Sequence, residues 1–222
     1  MYGLAVIKKY LRPFYAPVAN WYFDTFKAPR RYHHLFKTIR ILKVKSILEV
    51  GTWNGNRAVA MLHEAARNHP MSTIAYYGFD LFEDLNDALY SAEISKRPPP
   101  YAEVLERLKT TGAQIYLYQG NTLQTMPEVV PTLPKMDVIY IDGGHSYDTV
   151  ANDWKYAATL MHKNTVILFD DYWRNRMDNG CKPIVDMIDR TKYDVEVLPE
   201  IDVCINHDFG RLEISFAKVT LK

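Results

Sequence analysis

Five short apolar runs, each closing on an acidic residue or a glycine and each followed by a helix-length stretch, constrain this chain most. They are SILEV (46–50, then Gly51), STIAYYGFD (72–80), AQIYLYQG (113–120), MDVIYID (136–142) and TVILFDD (165–171). Runs rich in β-branched and aromatic residues that alternate with helical patterns build βαβ units, and such units build a parallel sheet with helices on its faces. MDVIYID is almost wholly apolar, as a central strand buried on both sides must be. The spacing predicts a helix over 56–68, with Ala58, Val59, Met61, Leu62, Ala65 and Ala66 on one face. It predicts helices within 82–111, split at Pro98-Pro99-Pro100. A helix over 147–161 follows, with Ser146 as N-cap and Val150, Trp154, Ala157, Ala158 and Met161 turned inward. A helix over 182–191 and strands near 193–198, 201–206 and 211–218 close the chain. The expected fold is a three-layer α/β/α sandwich.

Composition narrows the class further. The 222 residues are 48% hydrophobic and 24% charged, enough to bury a sizeable core and unlike a disordered chain. No apolar run approaches the ~18 residues of a membrane-spanning helix. The N-terminus has no signal-peptide pattern. Cys181 and Cys204 form neither a zinc spacing nor a disulfide framework, so a reducing, cytoplasmic setting is expected. Charge is uneven: residues 1–45 carry ten Lys/Arg against Asp24 alone, net +9, and the remainder is net −8. The basic part also holds ten aromatics, and Pro13, Pro17 and Pro29 cut it into short pieces. Residues 1–29 therefore read as a basic aromatic helical extension and 30–222 as the folded domain. The extension suits docking on its own acidic domain or on a second subunit in a homodimer. It also suits peripheral contact with an anionic membrane. Nucleic acid ranks last, because no nucleic-acid module accompanies the charge.

Ligands of open parallel sheets bind outside the carboxyl ends of the strands. Five acids stand at those ends here: Glu49, Asp80, Asp142, Asp170 and Asp171. Clustered carboxylates repel and are costly to desolvate, so packing alone does not account for them. The first turn, EVGTWNGNRA (49–58), leads from strand to helix and lets a ligand approach the backbone. Its glycines, Gly51 and Gly55, do not make G-x-G-x-x-G, and no Gly-Lys-Ser/Thr follows, so dinucleotide and P-loop chemistry are disfavoured. A carboxylate at Asp80 suits both hydroxyls of a ribose, which points to a nucleoside-like ligand.

These motifs resemble class I S-adenosylmethionine-dependent methyltransferases over about Ile47 to Trp173. ILEVGTWNGNRA resembles the family's first motif and YYGFD its second; QGNTLQTMPEV resembles the stretch that often reads G-D-S, with Asn121 where Asp is common. IDGGHSYDTVANDW followed by VILFDDYW is similar to metal-dependent O-methyltransferases of the catechol and macrolide-sugar types. The resemblance implies a Rossmann-like, mostly parallel sheet with an antiparallel C-terminal strand. It implies that Glu49 and Gly51 lie under the methionine part of the cofactor and that the backbone from Thr52 to Gly55 leaves room for it. Asp80, with Leu81 beside it, would hold the ribose, and Gly120 and Asn121 the adenine. Asp142 would border the cofactor. It implies a magnesium or similar ion on Asp142, Asp170 and Asp171, although the catechol type has an amide where Asp171 stands.

Methyl transfer from a sulfonium needs a strong oxygen nucleophile, which a cation and a base can supply. His145 is the candidate base beside Asp142; its alternative is a structural imidazole at the start of the following helix. Tyr172, Trp173, Arg174 and Arg176 are candidates for shaping the acceptor pocket. The function implied is metal-assisted O-methylation of a small hydroxylated acceptor, such as a sugar or catechol-like diol. An N- or RNA-directed methyltransferase and a non-catalytic nucleoside-binding protein of the same fold remain as alternatives. The Asp/Asn-Pro-Pro-Tyr signature of N-methylation is absent where IDGGH stands.

Overall fold

The computed structural model describes residues 29–93, 96–206 and 210–222. All of the expected basic extension except Pro29 lies outside the described residues. Five parallel strands form the body of the sheet: β1 (Ser46–Val50), β2 (Ala75–Asp80), β3 (Gln114–Gln119), β4 (Met136–Ile141) and β5 (Met161–Trp173). Then come β6 (Tyr193–Val197), β7 (Asp202–Asn206) and β8 (Gly210–Leu221). The order is β3-β2-β1-β4-β5-β8-β6, and β8 runs antiparallel to β5, β6 and β7. The helices are α1 (Tyr32–Leu42), α2 (Asn56–Ala65), α3 (Asp87–Ala92), α4 (Tyr101–Lys109), α5 (Thr122–Val129), α6 (Tyr147–Thr159) and α7 (Lys182–Met187). This is the three-layer, mostly parallel sandwich that the alternation predicts.

The period of two along each strand sorts side chains to opposite faces. On β1, Ile47 joins a core with Leu35 and Ile39 of α1, Met61 and Leu62 of α2, and Val104 and Leu108 of α4. Leu48 and Val50 face the other way, onto Met126 of α5, Val150 and Ala157 of α6, and Ile184 and Val185 of α7. Ser146 caps α6 as expected, its hydroxyl accepting from the Thr149 amide. Met161, expected on the inner face of that helix, instead begins β5. Pairing with Met136 draws it into the sheet, and the Met136 amide bonds the Leu160 carbonyl at 3.0 Å. The last helix stops at Met187 rather than 191; the Asp189 carboxylate accepts from the Thr191 amide at 2.9 Å and its hydroxyl at 2.6 Å, closing a turn there.

Two irregularities position the site. The strand order reverses between β1 and β4, which opens a crevice at their carboxyl ends. There Gly51 has φ +92°, and a Cβ on it would lie 2.0 Å from the Asp142 carbonyl oxygen. The second lies in β5, whose pairing with β8 breaks between Phe169 and Tyr172, with Asp171 at φ 54°. In a regular strand, consecutive residues point to opposite faces; this break lets Asp170 and Asp171 both join one cluster. Gly51→Ala is expected to lower folding stability by at least about 2 kcal/mol, because strain and a backbone clash coincide. A shift in the urea midpoint measures it.

Candidate active site

A cavity of about 180 Å³ occupies the crevice. Its walls include Gly51, Trp53, Asp80 and Leu81 on one side, Gly120 and Asn121 beside β3, and Asp142, Gly143, His145 and Asp171 on the other. Leu85, Leu89 and Glu93, from the segment that carries α3, form an outer wall. Most of the expected cofactor contacts therefore meet in one place. Asp80 accepts the Trp53 amide at 2.6 Å and the Phe82 amide at 3.2 Å, so its carboxylate is fixed at the cavity edge. Burial raises its pKa, and those amides partly offset the rise.

Three expected contacts do not line the cavity. Glu49 shares the face of Ile47 and is fully buried; its Oε2 accepts from the Tyr76 hydroxyl, and its Oε1 has no partner among the described residues. Thr52 is buried as well, 3.0 Å from the same hydroxyl. Gly55 sits at φ +74° as the N-cap of α2, packed near Val104. Asn121 does line the cavity, but its side-chain oxygen accepts the Leu123 amide at 2.9 Å and so caps α5. That use competes with the adenine contact expected of it.

Asp142, Asp170 and Asp171 converge, with one oxygen of each within 4.8 Å of the others. Their surroundings differ. Asp170 is 2% exposed. Its Oδ1 accepts from Arg31 Nε at 2.6 Å and from the Asp171 amide at 2.7 Å. Its Oδ2 accepts from Arg31 Nη2 at 3.3 Å and the Tyr140 hydroxyl at 2.8 Å. Asp171 Oδ2 accepts from His145 Nε2 at 2.7 Å, and Oδ1 from Trp173 Nε1 at 3.1 Å. Burial works against its charge, but the His145 charge and hydrogen bond outweigh it and hold its pKa near 2. Asp142 alone has a carboxylate oxygen with no hydrogen bond among the described residues; its Oδ2 lies 2.9 Å from the Tyr140 hydroxyl. The Tyr140 hydroxyl thus lies between the two carboxylates, within hydrogen-bond reach of both. Burial, then the charges of Asp170 and Asp171, push Asp142 well above the usual carboxylate range.

His145 is bonded at both ring nitrogens. Nδ1 meets the Glu93 carbonyl at 2.7 Å and Nε2 meets Asp171. Both partners only accept, so both nitrogens carry hydrogen and the ring is an imidazolium. Burial lowers its pKa, but Asp171 raises it further, to about 9. In this arrangement the ring has no lone pair with which to act as a base, and it stacks on Trp173 at 5.3 Å. Tyr172 and Trp173 are buried, while Arg174 bonds Ser215 and the Leu198 carbonyl; among the described residues, none of these nor Arg176 lines the cavity.

Sequence reasoning missed two residues. Glu93 accepts from the amides of His145 (2.9 Å) and Ser146 (3.0 Å) and from the Ser146 and Thr149 hydroxyls (2.7 Å each). It thereby fixes the loop after β4 and the start of α6. Arg31 comes from the turn before α1, and the basic charge of residues 1–45 was its only signal. Removing it leaves Asp170 buried and unpaired, at a cost of about 3–5 kcal/mol.

The Glu49 carboxyl has a sharp pH consequence. Burial lifts its pKa to about 8, against the Tyr76 hydrogen bond. Its proton is thus held more tightly folded than unfolded, and this contribution to stability falls as pH rises from about 4.5 towards 8. Glu49→Gln is expected to be more stable than the parent at pH 8, by on the order of 3 kcal/mol, with the gap closing near pH 5. Melting temperatures across that range check it.

Comparison with known proteins agrees with this geometry. A family described as "Methyltransferase domain" matches residues 48–172, more than half of the chain. The fold is shared with an O-methyltransferase of Bacillus cereus solved with S-adenosylhomocysteine: TM-score 0.60, 16% identity, 87% of this chain and 81% of that one. It is also shared with TomG of Streptomyces achromogenes, an O-methyltransferase of tomaymycin synthesis solved with S-adenosylmethionine: TM-score 0.58, 13% identity, 85% and 78%. An uncharacterised protein of Acanthamoeba polyphaga mimivirus is 36% identical over 61 residues, which are 27% of this chain and 28% of that protein. The chain thus spans less than a third of that curated relative's length.

Proposed function

We propose that this chain, which belongs to the methyltransferase-domain family, transfers a methyl group from S-adenosylmethionine to the oxygen of a small hydroxylated acceptor, such as a sugar or catechol-like diol. The observation that carries the reading is the cavity where the strand order reverses, edged by Asp80 and Asp142 and floored by a glycine turn. The donor fits this chemistry. Gly51 and Gly120, both at positive φ, line the cavity with backbone and no side chain, and the Asp80 carboxylate suits vicinal ribose hydroxyls. Two of the structural relatives, O-methyltransferases solved with the donor or its product, support the choice of oxygen.

The bound donor supplies an electrophilic methyl on a positively charged sulfur. The chain's own residues must take a proton and fix geometry. Asp142 is the base in this reading: one oxygen is open to the cavity, and burial together with its two acidic neighbours raises its proton affinity. His145 is a positioning residue. It holds Asp171 and, through Glu93, the outer wall. The remaining rate enhancement comes from orientation within the cavity.

The divalent cation implied by the resemblance has the right donor chemistry in Asp142, Asp170 and Asp171. As the side chains stand, however, Asp170 already accepts four hydrogen bonds and has no lone pair left for a metal. No step here runs through a metal.

S-adenosylhomocysteine is expected to raise the melting temperature, equivalent to about 2.7 kcal/mol at a hundred times its Kd. No shift at millimolar ligand would end the methyl-transfer reading. Asp142→Asn is expected to lower turnover by about a hundredfold or more while leaving product affinity nearly unchanged. A labelled methyl donor with a panel of catechol and sugar diols reads the first, and calorimetry the second.

A further inference from the structure

We propose that the Arg31 guanidinium, by occupying Asp170, is the resident counter-charge of the acid cluster in place of a divalent metal, so that methyl transfer in this chain needs no metal. The inference rests on the methyl-transfer reading for its consequence, but its geometry is independent of that reading.

Three observations carry it. The first is valence. A metal ligand must offer a lone pair, and all four of Asp170's are engaged: two by Arg31, one by Tyr140 and one by the Asp171 amide. The second is charge. Arg31 pairs with Asp170, and His145, donating from both nitrogens, pairs with Asp171. Asp142 has no such ion-pair partner at its side chain among the described residues, and it is the one with an oxygen open to the cavity.

The third observation is how Arg31 is held. It is 7% exposed. Nη1 donates to Asp202 Oδ2 at 3.1 Å, and the guanidinium lies 4.7 Å over the Tyr32 ring. The amides of Arg30 and Arg31 donate to the same Asp202 carboxylate at 2.9 and 3.1 Å, which anchors the start of α1 on β7. A surface arginine swings aside at little cost. This one would have to leave two carboxylates and a buried pocket to admit an ion. Its planar fork also fixes Asp170 in orientation, and Tyr140 carries that orientation to Asp142. Arg31 is therefore a positioning residue for Asp142 as well as a counter-charge.

The experiment is a titration of the full chain with MnCl2, followed by electron paramagnetic resonance of free manganese and by calorimetry, and repeated with MgCl2. It is run on the parent, Arg31→Ala and Arg31→Lys. The parent and the lysine variant are expected to bind no divalent ion at millimolar concentration. Arg31→Ala, with the acids uncovered, is expected to gain affinity by about tenfold or more. Saturable binding by the parent below millimolar concentration overturns the proposal. So does an Arg31→Ala protein that keeps its circular dichroism and its S-adenosylhomocysteine shift yet gains no metal. Should Arg31→Ala fail to fold, the parent titration alone decides in either direction. The S-adenosylhomocysteine shift of the parent is recorded in parallel. Loss of that shift removes the methyl-transfer reading, whereas metal binding with the shift intact removes only the role of Arg31.

Discussion

Mutual repulsion of carboxylates at the ends of β4 and β5 is the constraint around which the rest of this molecule is arranged. Asp142, Asp170 and Asp171 lie within 4.8 Å of one another, and Asp170 is removed from water almost entirely. Bare charges at that spacing in a poorly polarisable interior are not tolerated. The chain answers with cations from two distant segments: Arg31 before α1, and His145 after β4. Each is itself anchored, the first by Asp202 of β7 and the second by Glu93 beyond α3. The start of α1, the β7 hairpin and the α3 segment are thus tied to the chemistry, although none belongs to the parallel core of the sheet.

The legible part of the fold was the part governed by local periodicity. Apolar runs marked β1 to β5 within a few residues: the central strands read apolar because both faces are buried, and the edge strand β3 because its residues are β-branched and aromatic. The convergence of Asp80, Asp142, Asp170 and Asp171 near the crevice followed from their place at successive strand ends. Met161 was misplaced because its side chain suits a helix face as well as a strand; only the partner Met136, which local pattern does not reveal, decides between them. Glu49 stands at a strand end like the others, but it lies on the side that α2 covers, and it became a buried carboxyl held by Tyr76. Position along a strand was readable, and the face that a neighbouring helix would seal was not.

Long-range partners were the least legible. Arg31 is 139 residues from Asp170, and Glu93 is 52 from His145. No spacing rule joins them. The uneven charge of residues 1–45 against the rest did carry a hint, since a basic extension docked on its own acidic domain was one expected arrangement. Arg31 pairs with Asp170 and Asp202, but it belongs to the folded domain; the extension itself, apart from Pro29, lies outside the described residues. Of the two roles expected of His145, base or structural imidazole, this geometry favours the second for a related reason. Proximity to Asp142 in sequence suggested a base, whereas the backbone carbonyl of Glu93 and the Asp171 carboxylate claim both of its nitrogens.

The same pairings separate the three acids into different tasks. Asp170 is almost fully buried and has no spare lone pair, so it can only transmit position. Asp171 is held as an anion by an imidazolium and an indole, so it cannot take a proton readily. Asp142 keeps one oxygen open and shares its other neighbour, Tyr140, with Asp170. A proton arriving at Asp142 therefore meets a group whose affinity is raised by its neighbours and whose orientation is fixed by them. The outer wall follows the same logic. Leu85 and Leu89 give the cavity its apolar side, and Glu93, a few residues on, bonds the His145 loop that holds Asp171. A change that moves α3 to admit a different acceptor would also loosen His145, so acceptor fit and charge balance are mechanically one property of this site.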